Sequence, residues 1–161
     1  MIFTQAREND ITAILELEHG AFPAAERWSK LAWRDELLAS DRYVLTARDV
    51  DDRVMAVATF QCVADTADLH RIMVARQHRG EGAAKRMVRA GMEWAQALGA
   101  ERMLLEVRED NEAALGLYDG SGFEPIARRE NYYGQGVHAI VMAAALEEPG
   151  RDRSDLVDWT D

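Results

Sequence analysis

The sequence predicts one α/β domain, a mixed central β-sheet with helices on both faces. Three observations carry this. Runs rich in aliphatic and β-branched residues, such as 54–63 and 103–107, alternate with helical patterns. Between Arg76 and Leu98 the apolar residues Ala83, Met87, Ala90, Trp94 and Leu98 recur at steps of three and four, which lines one helical face. Capping residues stand at the expected starts (Ser29, Asn111) and glycines at the stops (Gly20, Gly99, Gly122).

In order, residues 2–6 read as a strand. Asn9 or Asp10 caps a helix carrying Ile11, Ile14, Leu15 and Glu18, which ends near Gly20, and Pro23 marks a loop. Ser29 caps a second helix through Leu38. Strands follow at 43–47, 54–63 and 69–74, with Asp51 and Asp52 as a turn. The long amphipathic helix comes next, then a strand at 103–107 and a helix from Asn111 to about Ser121. Strands at 123–129 and 137–146 flank a turn-like stretch at 132–136. The predicted order is β-α-α-β-β-β-α-β-α-β-β.

The 161 residues suit one domain, expected over 1–146. The tail 147–161 holds six acidic residues against Arg151 and Arg153 and is expected to be mobile. The single cysteine, Cys62, makes no internal disulfide, which suits a reducing compartment. The start is polar, with no signal-peptide pattern, and no apolar run is long enough for a membrane span. A cytoplasmic location is expected, with no membrane partner. The net charge of -10 disfavours nucleic acid and favours cationic partners such as amines or basic peptides. The four histidines show no metal-ligand spacing, so no metal is expected.

The most informative segment joins a strand to the long helix: Val74, Ala75, Arg76, Gln77, His78, Arg79, Gly80, Glu81, Gly82, Ala83, Ala84. Its small residues let a ligand approach the backbone, and a helix start offers free N–H groups and partial positive charge to a phosphate. Arg76, Arg79, Lys85, Arg86 and Arg89 make a basic cluster in an acidic chain. A pyrophosphate ligand accounts for this, and so does a plain solvated helix start with turn glycines. The spacing is neither that of a Walker loop nor GxGxxG.

Arg79-x-x-Gly82-x-Ala84, five residues after Val74, resembles the R/Q-x-x-G-x-G/A loop of the GNAT acetyltransferases. Residues 104–114, Leu117 and Tyr118, Gly122 and Phe123, 128–133 and 138–142 resemble the RimI-type branch of that family, which acetylates protein N-termini, including the alanine of a ribosomal protein. The match covers about residues 1–146. It departs at Ala75 and Arg76, where the family often has Asp-Pro, and in the two segments flanking the acceptor site, 21–28 and 133–138.

The resemblance implies acetyl-CoA as co-substrate. Ile72, Met73 and Val74 would contact its acetyl-pantetheine arm, with a backbone N–H near Met73 polarising the thioester carbonyl. Arg79, Gly80, Glu81, Gly82, Ala83, Ala84 and Lys85 would hold the pyrophosphate, and Asn111, also a helix cap, would touch CoA. Glu106 is the implied base. A strand-end carboxylate paired with Arg102 or Arg108 fits the same spacing. Tyr118, seven residues from Asn111 and so on the same helical face, is the implied acid; it could equally anchor the helix. Tyr132 and Tyr133 would wall the acceptor site or serve as turn aromatics. His70 reads as a strand residue with a satisfied hydrogen bond, and Cys62 as a small strand hydrophobe. The expected activity is direct acetyl transfer from acetyl-CoA to a primary amine, foremost a protein N-terminus such as a ribosomal protein's. A small-molecule amine acetyltransferase and a non-catalytic acyl-CoA-binding module are the alternatives. A monomer or weak dimer is expected.

Overall fold

Seven strands, β1 (Ile2–Gln5), β2 (Arg42–Arg48), β3 (Val54–Val63), β4 (Thr66–Val74), β5 (Arg102–Arg108), β6 (Glu124–Gly134) and β7 (Val137–Ala145), form one sheet in the order β1-β2-β3-β4-β5-β7-β6. Every neighbouring pair is antiparallel except β4 and β5, which are parallel. The helices are α1 (Ile11–Ala21), α2 (Lys30–Leu38), α3 (Ala83–Ala97) and α4 (Glu112–Gly120). This computed structural model describes residues 1–146 and has the predicted fold class; the acidic tail 147–161 lies outside the described residues.

Two cores follow from strand alternation, which sends successive side chains to opposite faces. On one face Leu45, Phe60, Leu69, Met103, Leu105 and Val107 pack with Met87 and Val88 of α3 and Tyr118 of α4. On the other, Val44, Val57 and Met73 pack with Ile14 and Leu17 of α1 and Trp33 of α2. The α3 helix crosses β3 closely: a Cβ at Gly91 would stand 2.2 Å from the Phe60 ring.

The feature that makes the site is the partial pairing of β4 with β5. It is confined to Thr66–Arg102, Ala67–Met103 and Asp68–Leu104, after which the strands part. A β-bulge sits at that point. Phe60 pairs with Leu69 and Thr59 with Arg71, so His70 is the extra residue. A bulge bends its strand and breaks the alternation. His70 and Arg71 therefore both turn toward the α1/α2 face, where they meet Glu36 and Glu18.

Several elements differ from the sequence reading. Asp10 stands at the N-cap position of α1, but its side chain makes no capping bond there. It closes a short 3-10 turn (Glu8–Asp10), accepts from the Arg7 N–H at 2.8 Å and pairs with Arg48 at 2.5 Å. β4 starts at Thr66, because residues 66–68 find partners on both sides. α3 begins only at Ala83; Arg76–His78 is a separate 3-10 turn, and Gly80 and Gly82 at positive φ break the path between them. Leu98, predicted on the buried face, lies just past the helix end and is exposed. β6 runs through Tyr132 and Tyr133 to Gly134, with its pairing to β7 irregular between Arg129 and Gly134. Among the described residues no helix is long and apolar enough to cross a membrane, and no group of three or more His, Cys, Asp or Glu is set to hold a metal.

Candidate active site

Where β4 and β5 part, the facing edges of Leu69 to Val74 and Leu105 to Arg108 have no strand partner among the described residues. Their backbone N–H and C=O groups line a cleft of about 1110 Å³. Such an edge can hydrogen-bond an extended, amide-bearing ligand as a missing strand would. The α3 start closes one end of the cleft, α4 one wall, and Phe22, Glu26, Tyr132 and Tyr133 the other end. Every predicted site residue except Glu81 lines it.

At the α3 end, Ile72 and Val74 pack toward the α3 core while Met73 is buried under α1 and α2, so the strand meets the cleft with its backbone. Arg79 folds back to donate from Nε to the Val74 carbonyl at 3.3 Å. Gly80 and Gly82 have φ of 81° and 85°, a region that costs any residue with a Cβ. This path brings the first turn of α3, with Ala83, Ala84 and Lys85, onto the cleft. The unbonded N–H groups of that turn and its positive end fit a pyrophosphate. Glu81 turns instead to His78, at 3.2 Å. Of the basic cluster only Arg79 and Lys85 reach the cleft; Arg89 pairs with Glu93 and Arg86 lies over Phe3. Asn111 caps α4 by accepting from the Ala114 N–H at 3.1 Å, and its side chain also borders the cleft.

Midway, Glu106 alternates with Leu105 and Val107 and so faces away from the α3 core. It pairs with Arg129 at 3.1 Å. The partners that spacing suggested are engaged elsewhere: Arg102 donates to Thr66, and Arg108 pairs with Glu26 and Asp110. A hydrogen bond to Glu106, together with burial, raises the Tyr132 phenol above its ordinary range. On the opposite wall Tyr118 is only 6% exposed and meets Phe123 edge-on at 5.8 Å. Burial, with the nearby Tyr133, pushes its phenol well up, so it stays protonated at neutral pH.

Beside Tyr132 and Tyr133, the far end is built from side chains outside the predicted site set. The Arg71 guanidinium lies 3.9 Å from the Phe22 ring centroid and 4.7 Å from that of Trp28. Its Nη2 donates to the Glu26 carbonyl at 2.7 Å, and Nε sits 3.4 Å from Glu18. Glu18, 1% exposed, accepts from Trp33 Nε1 at 2.9 Å and from the Trp28 N–H at 3.2 Å. Burial lowers the Arg71 guanidinium while the Glu18 charge opposes this. Glu26 is bridged by Arg108 at 3.0 Å, whose guanidinium approaches the Tyr133 ring. Burial and the Glu106 charge push the Tyr133 phenol up to about 12. The 22–28 segment is thus tied to β4 and β5. Its sequence signal was a carboxylate at a helical core position, Glu18, ahead of an aromatic-rich loop. His70 bonds to Glu36, as a satisfied strand histidine would, yet it also lines the cleft. Cys62 is half-buried and outside the cleft, its thiol raised by burial and by Asp68. His138 accepts from the Asn131 N–H at 3.0 Å.

The model of the Acetyltransferase (GNAT) family matches residues 9–123. The ribosomal protein bS18-alanine N-acetyltransferase of Haemophilus ducreyi is 32% identical over 143 residues, covering 86% of this chain and 96% of that protein. An uncharacterized N-acetyltransferase of Bacillus subtilis is 40% identical over 82 residues, 51% of this chain, and the match spans only 32% of that longer protein. Among solved structures, the ribosomal-protein-S18-alanine N-acetyltransferase from Escherichia coli superposes with a TM-score of 0.81 at 25% identity, covering 94% of this chain and 97% of that one. The chain therefore belongs to the GNAT acetyltransferases and is an acetyl-CoA-dependent N-acetyltransferase.

Proposed function

We propose that the acceptor is the α-amine of a protein N-terminus, a ribosomal protein's being the foremost candidate, and that transfer is by direct attack within a single chain. The observation that carries this is that Phe22, Ala25, Glu26, Tyr132 and Tyr133 line the same cleft as Glu106. An extended chain end fits such a slot with its amine at the carboxylate. The bS18-alanine acetyltransferase likeness supports the same acceptor class. A ribosomal protein would be met in the cytoplasm, where we place the enzyme. We take residues 1–146 as the acetyltransferase domain.

Acetyl transfer needs the thioester held, its carbonyl polarised, the amine deprotonated and the thiolate protonated. In our reading the free edge of Ile72, Met73 and Val74 pairs with the pantetheine amides. Arg79, Gly80 and Gly82, with Ala83, Ala84 and Lys85 of the helix start, take the pyrophosphate, and Asn111 steadies the arm from the α4 side. A backbone N–H beside Met73, at Ile72 or Val74, which alternate with it and face the cleft rather than β3, donates to the thioester oxygen as negative charge builds there. Glu106 accepts a proton from the amine, directly or through one water. An α-amine, with a pKa of about 8, demands less of that base than a lysine at about 10.4. Tyr118, kept protonated by burial, donates to the departing sulfur. Tyr132 and Tyr133 wall the acceptor, and Tyr132 also holds the Glu106 carboxylate in place.

The test is incubation with acetyl-CoA and two matched peptide sets, read by mass spectrometry. One set has a free N-terminus and no lysine; the other has a blocked N-terminus and an internal lysine. Acetylation of the first set alone, best for alanine-first peptides with basic followers, is the expected result. Acetylation of lysine, or of small amines only, would overturn the acceptor class.

A further inference from the structure

Acetylating an ammonium is a two-proton problem. One proton leaves before the nitrogen can attack, and a second leaves once the nitrogen–carbon bond has formed. One of them ends on the CoA sulfur by way of the acid, and the other goes to water. A single carboxylate holds one proton at a time. We propose that His70, oriented by Glu36, relays the first proton from Glu106 to solvent, so that Glu106 is again a carboxylate when the second proton must leave. This rests on the reading of Glu106 as the base.

His70 is the bulge residue where β4 leaves β5. The last parallel pair is Asp68 with Leu104, so His70 and Glu106 stand two residues beyond it on the facing strands. Both side chains turn to the α1/α2 side, and both line the cleft. The imidazole Nδ1 lies 3.3 and 3.4 Å from the two Glu36 oxygens. Glu36 is buried and also accepts from Arg42 Nε at 2.8 Å and Thr59 Oγ1 at 2.5 Å. Burial raises its carboxyl, but the bonds from His70, Thr59 and Arg42 prevail and hold it at about 2. It is therefore an acceptor at working pH. Nδ1 must donate to it, which leaves Nε2 with the lone pair. No hydrogen bond engages Nε2 among the described residues.

The charged surroundings suit a relay. Glu36 faces His70 from α2, with Arg42 of β2 behind it. Asp68 lies on the same strand, two residues before His70, and Glu106 comes from β5. Asp68 feels both ends: its half-buried carboxyl is raised by burial, lowered by His70 and raised by Glu106. In the step itself the Glu106 carboxylic acid loses its proton to His70 Nε2 through water, giving imidazolium and carboxylate, and the imidazolium then releases that proton to solvent. Glu36 is a positioning residue, because it fixes which nitrogen is free.

The experiment follows CoA thiol release by the full chain across about pH 5–9, with a peptide amine and, separately, a small primary amine as acceptor. It compares the wild-type chain with His70→Gln, and with His70→Ala with and without added imidazole. The expected result is a fall in kcat of about a hundredfold in both variants, with KM for acetyl-CoA unchanged. The acid-side decline of the wild-type profile disappears in His70→Gln, and imidazole restores turnover to His70→Ala. Wild-type turnover in either variant overturns the relay. So does a loss of turnover with an unchanged pH profile and no rescue, which marks a purely structural histidine. Transfer to the small amine but not the peptide removes the proposed acceptor and leaves this test intact, whereas transfer to neither overturns both.

Discussion

The two ends of the cleft are built by opposite means. At the α3 end the polypeptide offers backbone: a free strand edge, two glycines at positive φ and the first turn of a helix, with Arg79 and Lys85 as the cationic side chains of the wall among the described residues. At the other end it offers side chains: Arg71 against Phe22 and Trp28, Glu18 beneath them, and Glu26 bridged by Arg108 toward Tyr133. Backbone recognition suits a ligand that never changes. Side-chain recognition suits an acceptor that differs from one enzyme to the next, because substitutions there reshape the slot without disturbing the strands.

If this division holds, the largest effect comes from the residue at the boundary. Glu106→Gln removes a proton acceptor while keeping size and hydrogen-bonding capacity. Turnover should fall by about a hundredfold or more, and acetyl-CoA affinity by calorimetry should stay within about twofold. Affinity lost in parallel would mean that Glu106 belongs to the CoA end and that the boundary is misplaced.

The next effect tests the acceptor end alone. Arg71→Met leaves Glu18, 1% exposed, with two N–H donors but no opposite charge. Breaking a buried pair costs about 3 kcal/mol, and for a domain of this size Tm should drop by roughly 9 °C. The 22–28 segment also loses its tie to β4, so KM for a peptide acceptor should rise while KM for acetyl-CoA does not. A rise in both would show that the two ends are mechanically coupled.

Legibility in the sequence follows the same division. The α3 end was readable because glycine spacing and a strand-to-helix junction are local signals. Of its predicted residues only Glu81 misses the cleft, since three residues after His78 it finds a closer partner. Glu106, Asn111 and Tyr118 were readable because one strand, one cap and one helix carry them in fixed order. At the acceptor end only Tyr132 and Tyr133 were. Arg71 reaches its place through a one-residue bulge, which no propensity announces and which reverses the face of every later side chain on β4. Its partners come from residues 18–28, some 45 positions away for the Glu26 carbonyl. Asp10 was misread for a related reason: a good capping residue went instead to a distant arginine, Arg48.

A third effect lies beneath the cleft and is read by pH. The Glu36 carboxyl is held at about 2 against an ordinary 4.5, so between those values the unfolded chain binds more protons than the folded one. The stability this supplies, about 3 kcal/mol, is present in full above pH 4.5 and is lost as the pH falls toward 2. Glu36→Gln should therefore be less stable at pH 7, yet lose less on acidification through that window. Parallel denaturation curves from pH 7 to about 2 for the two chains would show the opposite, that Glu36 contributes nothing through its charge.

The smallest effect isolates the backbone at the α3 end. Gly82 has φ of 85°, and a Cβ there would meet nothing within 4 Å. Alanine at this position creates no clash, so any penalty is purely conformational, about 1–2 kcal/mol for the left-handed region. That penalty falls on the loop path that aims the α3 N–H groups into the cleft and favours other paths over it. KM for acetyl-CoA should rise about tenfold, with kcat at saturation and the peptide KM unchanged, because Glu106 and the acceptor slot do not depend on this turn. A loss confined to kcat would contradict the division, since it would mean that the turn positions the reacting atoms rather than the phosphates. A change in neither constant would mean that the cationic side chains, Arg79 and Lys85, hold the ligand without help from the helix start.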